Sequence, residues 1–222
     1  MSKVESLNEV IREVQEYVSK VYEDNWGKYP TSHDYLHIIR VLTLALKIAD
    51  EEHLDSESIL LLKLACLLHD IAIPITGCKQ KHAEESAKIA TQILKKYEFT
   101  EDEIRLVCSA IREHSWSKRK KPATLLSAIL QDADRLDALG VIGFARMICY
   151  GEFMKRKLHH PTEVIPKTRQ IDDERYTIDH VFAKLVKLPQ SMNTETGKRL
   201  AKERVQKLLK LTEEFEKEVQ CE

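Results

Sequence analysis

Glycine and proline are scarce in this sequence, six of each in 222 residues, and aromatic residues make up only 6%. A sandwich or barrel needs frequent turn residues and aromatic filling, so the shortage argues against an all-β fold and for helices. No charge of either sign dominates. The net charge is -1, which removes the basic excess that marks nucleic-acid or anionic-membrane binding. No two cysteines form a CxxC pair. Cys66, Cys78, Cys108, Cys149 and Cys221 are odd in number and scattered, so a disulfide framework is excluded and a reducing compartment is expected. Cys66, Cys108 and Cys149 lie in apolar helical runs and are expected to be small buried hydrophobes. The opening residues MSKVESLNEV lack the apolar stretch of a signal peptide, and charges interrupt the apolar runs before membrane-span length. The expectation is a cytoplasmic protein with no membrane association.

What is plentiful is helical periodicity. Val4, Leu7, Ile11, Val14, Val18 and Val21 recur at spacings of three and four, which predicts an amphipathic first helix. A turn follows over Asn25–Pro30, and Thr31, Ser32 or Asp34 can cap a second helix reaching about Glu52. That helix is apolar on most sides and is expected to be central. Residues 56–72 predict a nearly all-apolar helix, followed by a loop with Pro74, Gly77 and the lysines around 79–81. Further helices are expected at about 82–97, 101–115, 124–150, 178–188 and 195–219, with 152–172 irregular. This describes an all-α, single-domain helical bundle: residues 1–29 form an N-terminal helix packing on it, and 30–222 the main domain with its C-terminal helices.

The informative residues are ionisable groups inside the most apolar helices. His69 and Asp70 end the run Leu60–Leu68, whose only charge is Lys63. Burying a carboxylate and an imidazole unpaired costs several kcal/mol. A helix C-terminus also disfavours an anion, and a bound dication would remedy both problems. His37 lies on an apolar face with Val41 and Leu44, and Arg40, one turn on, calls for an anion. A lone histidine there is more often a satisfied core residue; beside His69–Asp70 it becomes a candidate ligand. Asp132, Asp134 and Asp137 interrupt a third apolar run. Asp132 and Asp134 stand about 200° apart around the axis, so both cannot easily face one metal. Asp132 can pair with Arg135. One aspartate of the three is expected to be a ligand. His82 and His114 can join the cluster by holding a second metal, binding phosphate or giving a proton. His53, His159 and His160 read as surface residues.

The order His37 … His69-Asp70 … Asp134 resembles the H…HD…D signature of the HD-domain superfamily of metal-dependent phosphohydrolases. The surroundings carry the resemblance: HDYLHIIRV (33–41), LACLLHDI (64–71), His82, AIREHS (110–115) and LQDADRLDALGVIGFAR (130–146). With TIDHVFAKLVKL (177–188), the chain is similar to the YedJ/YpgQ-like HD hydrolases. The resemblance implies an HD-type helical bundle with one divalent metal (Mn, Mg, Ni, Co, Fe or Zn) on His37, His69, Asp70 and Asp134, with Asp132 as the fallback ligand. Where many relatives carry Gly or an acidic residue after HD-Ile, this chain has Ile71-Ala72-Ile73-Pro74, which speaks against a two-metal site.

The expected chemistry is attack on phosphorus by a metal-activated water, with a carboxylate such as Asp70, or His82 or His114, handling protons. Arg40 and Arg135 are candidates for phosphate, as are His180 and Lys184 in the matched segment; a surface ion pair is the better reading of Arg112. The basic loop Lys118–Lys121 reads as a solvated turn. The resemblance implies a small phosphorylated substrate, in particular a nucleotide cut at a phosphoanhydride or phosphoester. Two alternatives are a metal-stabilised nucleotide sensor without turnover and, more weakly, an HD-scaffold diiron oxygenase. A homodimer through the first helix is a further option, though packing on its own domain is favoured.

Overall fold

In the computed structural model, residues 3–77, 81–97, 99–116 and 120–221 are described. Cys78, Lys79, Lys118 and Arg119, and the side chain of Val4, lie outside the described residues. The described chain is all-helical, with one isolated bridge between Lys157 and Tyr176. Its contacts gather into two compact units: residues 1–29 with 33–134, and residues 30–32 with 135–222.

The first unit holds α1 (Lys3–Asp24), α2 (Tyr35–Glu51), α3 (Ser56–Leu68), α4 (Ala72–Thr76), α5 (His82–Leu94), α6 (Glu101–Glu113) and most of α7 (Leu125–Asp137). Helix α3 is its centre and packs against α1, α2, α5 and α6. Leu60, Leu61, Leu62 and every residue from Leu64 to Leu68 are buried, as an apolar helix with no polar face requires. The stretch Ser56–Thr76 contains 18 consecutive residues apolar enough to cross a membrane, with mean hydropathy 1.9, yet 78% of those are buried inside the fold, as in a core helix.

Local chemistry sets the helix ends. Asp34 caps α2 by accepting from the backbone N–H of His37 at 2.9 Å. Asp55 caps α3 in the same way. Thr100 and Glu103 form a reciprocal capping box on α6.

Several expectations are corrected. The buried stripe of α1 runs Ile11, Val14, Val18, Tyr22, so it continues at the i+4 position rather than at Val21. Helix α2 is only half-buried: Leu36 is 60% exposed. The helix expected over 56–72 stops at Leu68, and Pro74 belongs to α4 instead of a loop. Proline is tolerated there because the first turn has no intrahelical acceptor for its missing N–H. Cys66 and Cys108 are buried, but Cys149 is exposed.

The second unit holds α8 (Gly140–Phe153), α9 (Asp179–Ala183), a 3₁₀ segment Leu185–Ser191 and α10 (Glu195–Gln220). Helix α10 packs against α8 and the 3₁₀ segment. The single helix expected over 124–150 is broken after Asp137, and α8 begins at Gly140, which takes a left-handed φ of 72°. The helix expected over 178–188 is a short α-turn followed by the 3₁₀ segment. Gly151 lies inside α8 and does not end it; a side chain there would collide with Thr177. His159 and His160 are half-buried and rest on the rings of Phe215 and Tyr176.

Candidate metal centre

Helix ends in the first unit bring six side chains together. His37 enters from the first turn of α2, and His69 and Asp70 from the turn that closes α3. His82 opens α5, His114 closes α6, and Asp134 comes from α7. His37 and His69 are wholly buried; Asp70, His82 and His114 are 3%, 9% and 2% exposed.

Asp70 is the hub. Its Oδ2 lies 3.6 Å from Nε2 of both His37 and His69. Its Oδ1 lies 3.5 Å from His82 Nε2 and 3.4 Å from His114 Nε2. Two groups of ligand-type atoms therefore share one carboxylate: His37, His69 and Asp70, and Asp70, His82 and His114. Asp134 Oδ1 reaches the first group through His37, at 3.5 Å. Neither group contains Asp132, which is wholly buried in α7. Asp137 is paired with Arg146 at 3.0 Å.

Two of the histidines are oriented by their own helices. His69 Nδ1 donates to the Cys66 carbonyl, and His114 Nδ1 to the Ile111 carbonyl, both at 2.7 Å. Each ring thus satisfies one of the carbonyls that a helix C-terminus leaves open. With Nδ1 carrying the hydrogen, Nε2 becomes the lone-pair atom aimed into the cluster, the arrangement that metal-binding imidazoles use. His82 and His114 meet Nε2 to Nε2 at 3.1 Å.

The electrostatics follow from burial and charge. Burial lowers the His69 pKa to about 4, against the pull of Asp70, so the ring is neutral. Burial opposes ionisation of Asp70, but His69 and His82, and then His114 and His37, hold its carboxyl well below the usual range. Asp134 is lowered by His37, His114 and His69 against its own burial. Burial also acts to lower His114, but Asp70 and then Asp134 raise it.

The donor set suits a divalent cation. Two carboxylates and neutral imidazoles make a mixed oxygen and nitrogen site. His69 Nε2 and Asp70 Oδ1 are buried with no well-formed hydrogen bond, a costly state that a cation would relieve. Two ligands each about 2.1 Å from one ion stand roughly 3.0–3.4 Å apart, close to the separations seen around Asp70.

Two supporting residues escaped the sequence reading. The Tyr22 hydroxyl on α1 donates to the Asp70 carbonyl at 3.3 Å, and its own backbone carbonyl accepts from Tyr29. Its signal was the i+4 continuation of the stripe from Val18. Ser86 Oγ accepts from the N–H of Ala72 at 3.1 Å, which ties the turn after Asp70 to the helix bearing His82. Its signal was the i+4 spacing from His82.

Of the expected phosphate contacts, Arg40 is half-buried on α2, one turn beyond His37. Arg135, His180 and Lys184 belong to the second unit. Arg135 Nη1 donates to the Ser191 carbonyl. His180 pairs with Asp173, and Lys184 ends α9 with its N–H on the His180 carbonyl. Arg112 lies 3.5 Å from Glu84, a half-exposed ion pair.

Residues 34–139 match the HD domain family model. Among curated proteins, the chain is 28% identical over 196 residues to the uncharacterized protein YpgQ of Bacillus subtilis, covering 85% of each. The crystal structure of Bacillus subtilis YpgQ in complex with ADP superposes with a TM-score of 0.70 at 26% identity, over 96% of both chains. An HD-superfamily hydrolase from Bacillus thuringiensis gives a TM-score of 0.73 at 27% identity, over 97% of this chain and all of that one. A predicted HD-superfamily hydrolase from an uncultured Thermotogales bacterium gives 0.64 at 28% identity, over 98% of this chain. The His/Asp cluster falls within residues 34–139, the segment of this chain that is similar to the HD domain family.

Proposed function

We propose that the protein is a divalent-metal-dependent phosphohydrolase acting on a nucleotide phosphoanhydride or phosphoester. The observation that carries this reading is Asp70: a buried carboxylate whose two oxygens face four imidazole nitrogens at 3.4–3.6 Å. The solved HD-superfamily hydrolases support the reaction class, and the ADP bound to YpgQ supports a nucleotide.

His37, His69, Asp70 and Asp134 would hold the ion. Bound there, a divalent cation supplies Lewis acidity that makes water a better nucleophile and offsets charge on a phosphate oxygen. The chain's own groups do the rest. His69 keeps its proton on Nδ1 through Cys66 and presents a neutral Nε2. His82 and His114 face Asp70 Oδ1 and each other, so a proton can pass between the two Nε2 atoms during attack or departure of the leaving group. The second group, Asp70 with His82 and His114, also has the donors for a further cation. Arg40, on the helix that carries His37, is the proposed contact for phosphate oxygens.

Purified protein stripped of metal and reloaded with Mn, Mg, Co, Ni, Fe or Zn, assayed on nucleoside di- and triphosphates, cyclic nucleotides and phosphomonoesters, tests the reading. Phosphorus NMR identifies the bond cleaved. The expected result is metal-dependent hydrolysis lost in Asp70→Asn. Equal turnover in a metal-verified Asp70→Asn protein, or none on any phosphorylated compound with any ion, overturns it.

A further inference from the structure

Asp70 sits where α3 gives way to α4, and the helices themselves hold the backbone there only loosely. His69 and Ile71 keep right-handed helical dihedrals, but the bonds across the turn reach back three residues. The Ile71 N–H donates to the Leu68 carbonyl at 3.3 Å, and the Ile73 N–H to the Asp70 carbonyl at 2.9 Å. Bonds of this span have poorer geometry than the regular α-helical ladder. Two side chains from other helices brace the turn. Ser86 Oγ on α5 accepts from the Ala72 N–H at 3.1 Å, and Tyr22 Oη on α1 donates to the Asp70 carbonyl at 3.3 Å. Both are buried.

Tyr22 is itself set in place. Its ring meets Tyr29 edge-on, with centroids 5.3 Å apart, and lies 6.3 Å from the ring of Tyr35. Its carbonyl, among the last that a helix leaves open, accepts from the Tyr29 hydroxyl at 2.9 Å. Helix α1 packs against α3 and α4 but contributes none of the cluster's side chains.

We infer that Tyr22 is a positioning residue for Asp70: from a helix that carries no ligand, its hydroxyl fixes the peptide after Asp70 and so keeps one carboxylate oxygen on His37 and His69 and the other on His82 and His114. The inference rests on the proposed reading of Asp70 as a metal ligand. A carboxylate shared between two pairs of rings tolerates little rotation, because its oxygens are joined rigidly at one carbon. Groups that orient a metal ligand are worth about 10–100-fold in affinity, and one that acts through the backbone belongs at the lower end.

Tyr22→Phe is the test, since it keeps the ring and removes only the hydroxyl. The Asp70 carbonyl retains the Ile73 N–H, so no polar group is stranded, and the metal-free protein should melt no more than about 4 °C lower. Full-length protein titrated with Mn alone should bind about tenfold more weakly. The visible spectrum of the Co-loaded protein should change as the ligand geometry relaxes. Thr100→Ala, which loses stability at the far end of α6 from His114, is the control and should show neither change. In the metal-free protein, carbon NMR should show both the backbone carbonyl and the side-chain carboxylate of Asp70 shifted in Tyr22→Phe. Mn affinity within about twofold of the parent, with an unaltered Co spectrum, overturns the inference. So does an unmoved Asp70 carboxylate resonance, or an affinity loss that Thr100→Ala matches. A parent that binds Mn but hydrolyses nothing counts against the proposed activity and leaves these readouts in force. A parent that binds no metal counts against the proposed site, and the two Asp70 resonances then decide the role of Tyr22.

Discussion

Replacing Asp70 by asparagine separates metal binding from folding. In the metal-free protein the Asp70 carboxylate is buried, and its Oδ1 has no well-formed hydrogen bond. An amide keeps the shape but loses the charge that His69 and His82 hold ionised, so the metal-free variant should melt lower than the parent while the added metal-induced shift is judged separately. The metal-bound states should differ sharply. A ligand at 100 times its dissociation constant stabilises the folded state by about 2.7 kcal/mol. For a chain of this size that raises the melting temperature by roughly 5–10 °C. Asp70 offers one oxygen to each group of histidines, so the asparagine loses a charged donor to both. A hundredfold weaker affinity, about 2.7 kcal/mol, leaves only about 0.4 kcal/mol of stabilisation at the same metal concentration. Thermal melts with and without Mn, with metal content measured on the same samples, read both quantities. The reasoning fails if Asp70→Asn keeps the parent's metal-induced shift.

Three further outcomes are expected. Metal-free protein should lose stability as pH falls from about 6.5 toward 4, because unfolded His69 binds a proton that the buried ring, with its pKa lowered to about 4, refuses; the contribution is on the order of 2–3 kcal/mol and should be missing from the urea-melt pH profile of His69→Asn. Gly143→Ala drives a Cβ into the Ala138 carbonyl, a backbone atom that cannot step aside, and should cost about 3 kcal/mol in chemical denaturation; a loss under 1 kcal/mol contradicts the packing described. Thr100→Ala removes the capping box of α6 and should cost about 1 kcal/mol in urea melts. It should leave metal affinity within about twofold, since His114 sits at the other end of that helix; a large affinity loss would show that α6 is held less firmly than its packing implies.

Helical periodicity, shortage of breakers and polar residues stranded in apolar runs were all properties of the chain itself. They sufficed for an all-α fold and for a cluster around His37, His69 and Asp70, because burying an unpaired carboxylate or imidazole is costly wherever the helix ends up. Helical phase also argued that Asp132 and Asp134 cannot both face one ion, since 100° per residue holds before any packing is known, while the choice of Asp134 came from the resemblance. What the tertiary structure alone decided concerns contacts between segments distant in sequence. The break after Asp137 depends on the backbone conformation at Gly140, which glycine permits but does not compel. The burial of Tyr22 against the Asp70 carbonyl joins residues 48 apart, and the His82–His114 contact joins residues 32 apart. Neither spacing leaves a periodic trace. The chain carried the chemistry of each ligand, and the packing around α3 decided which of those groups share the two oxygens of Asp70.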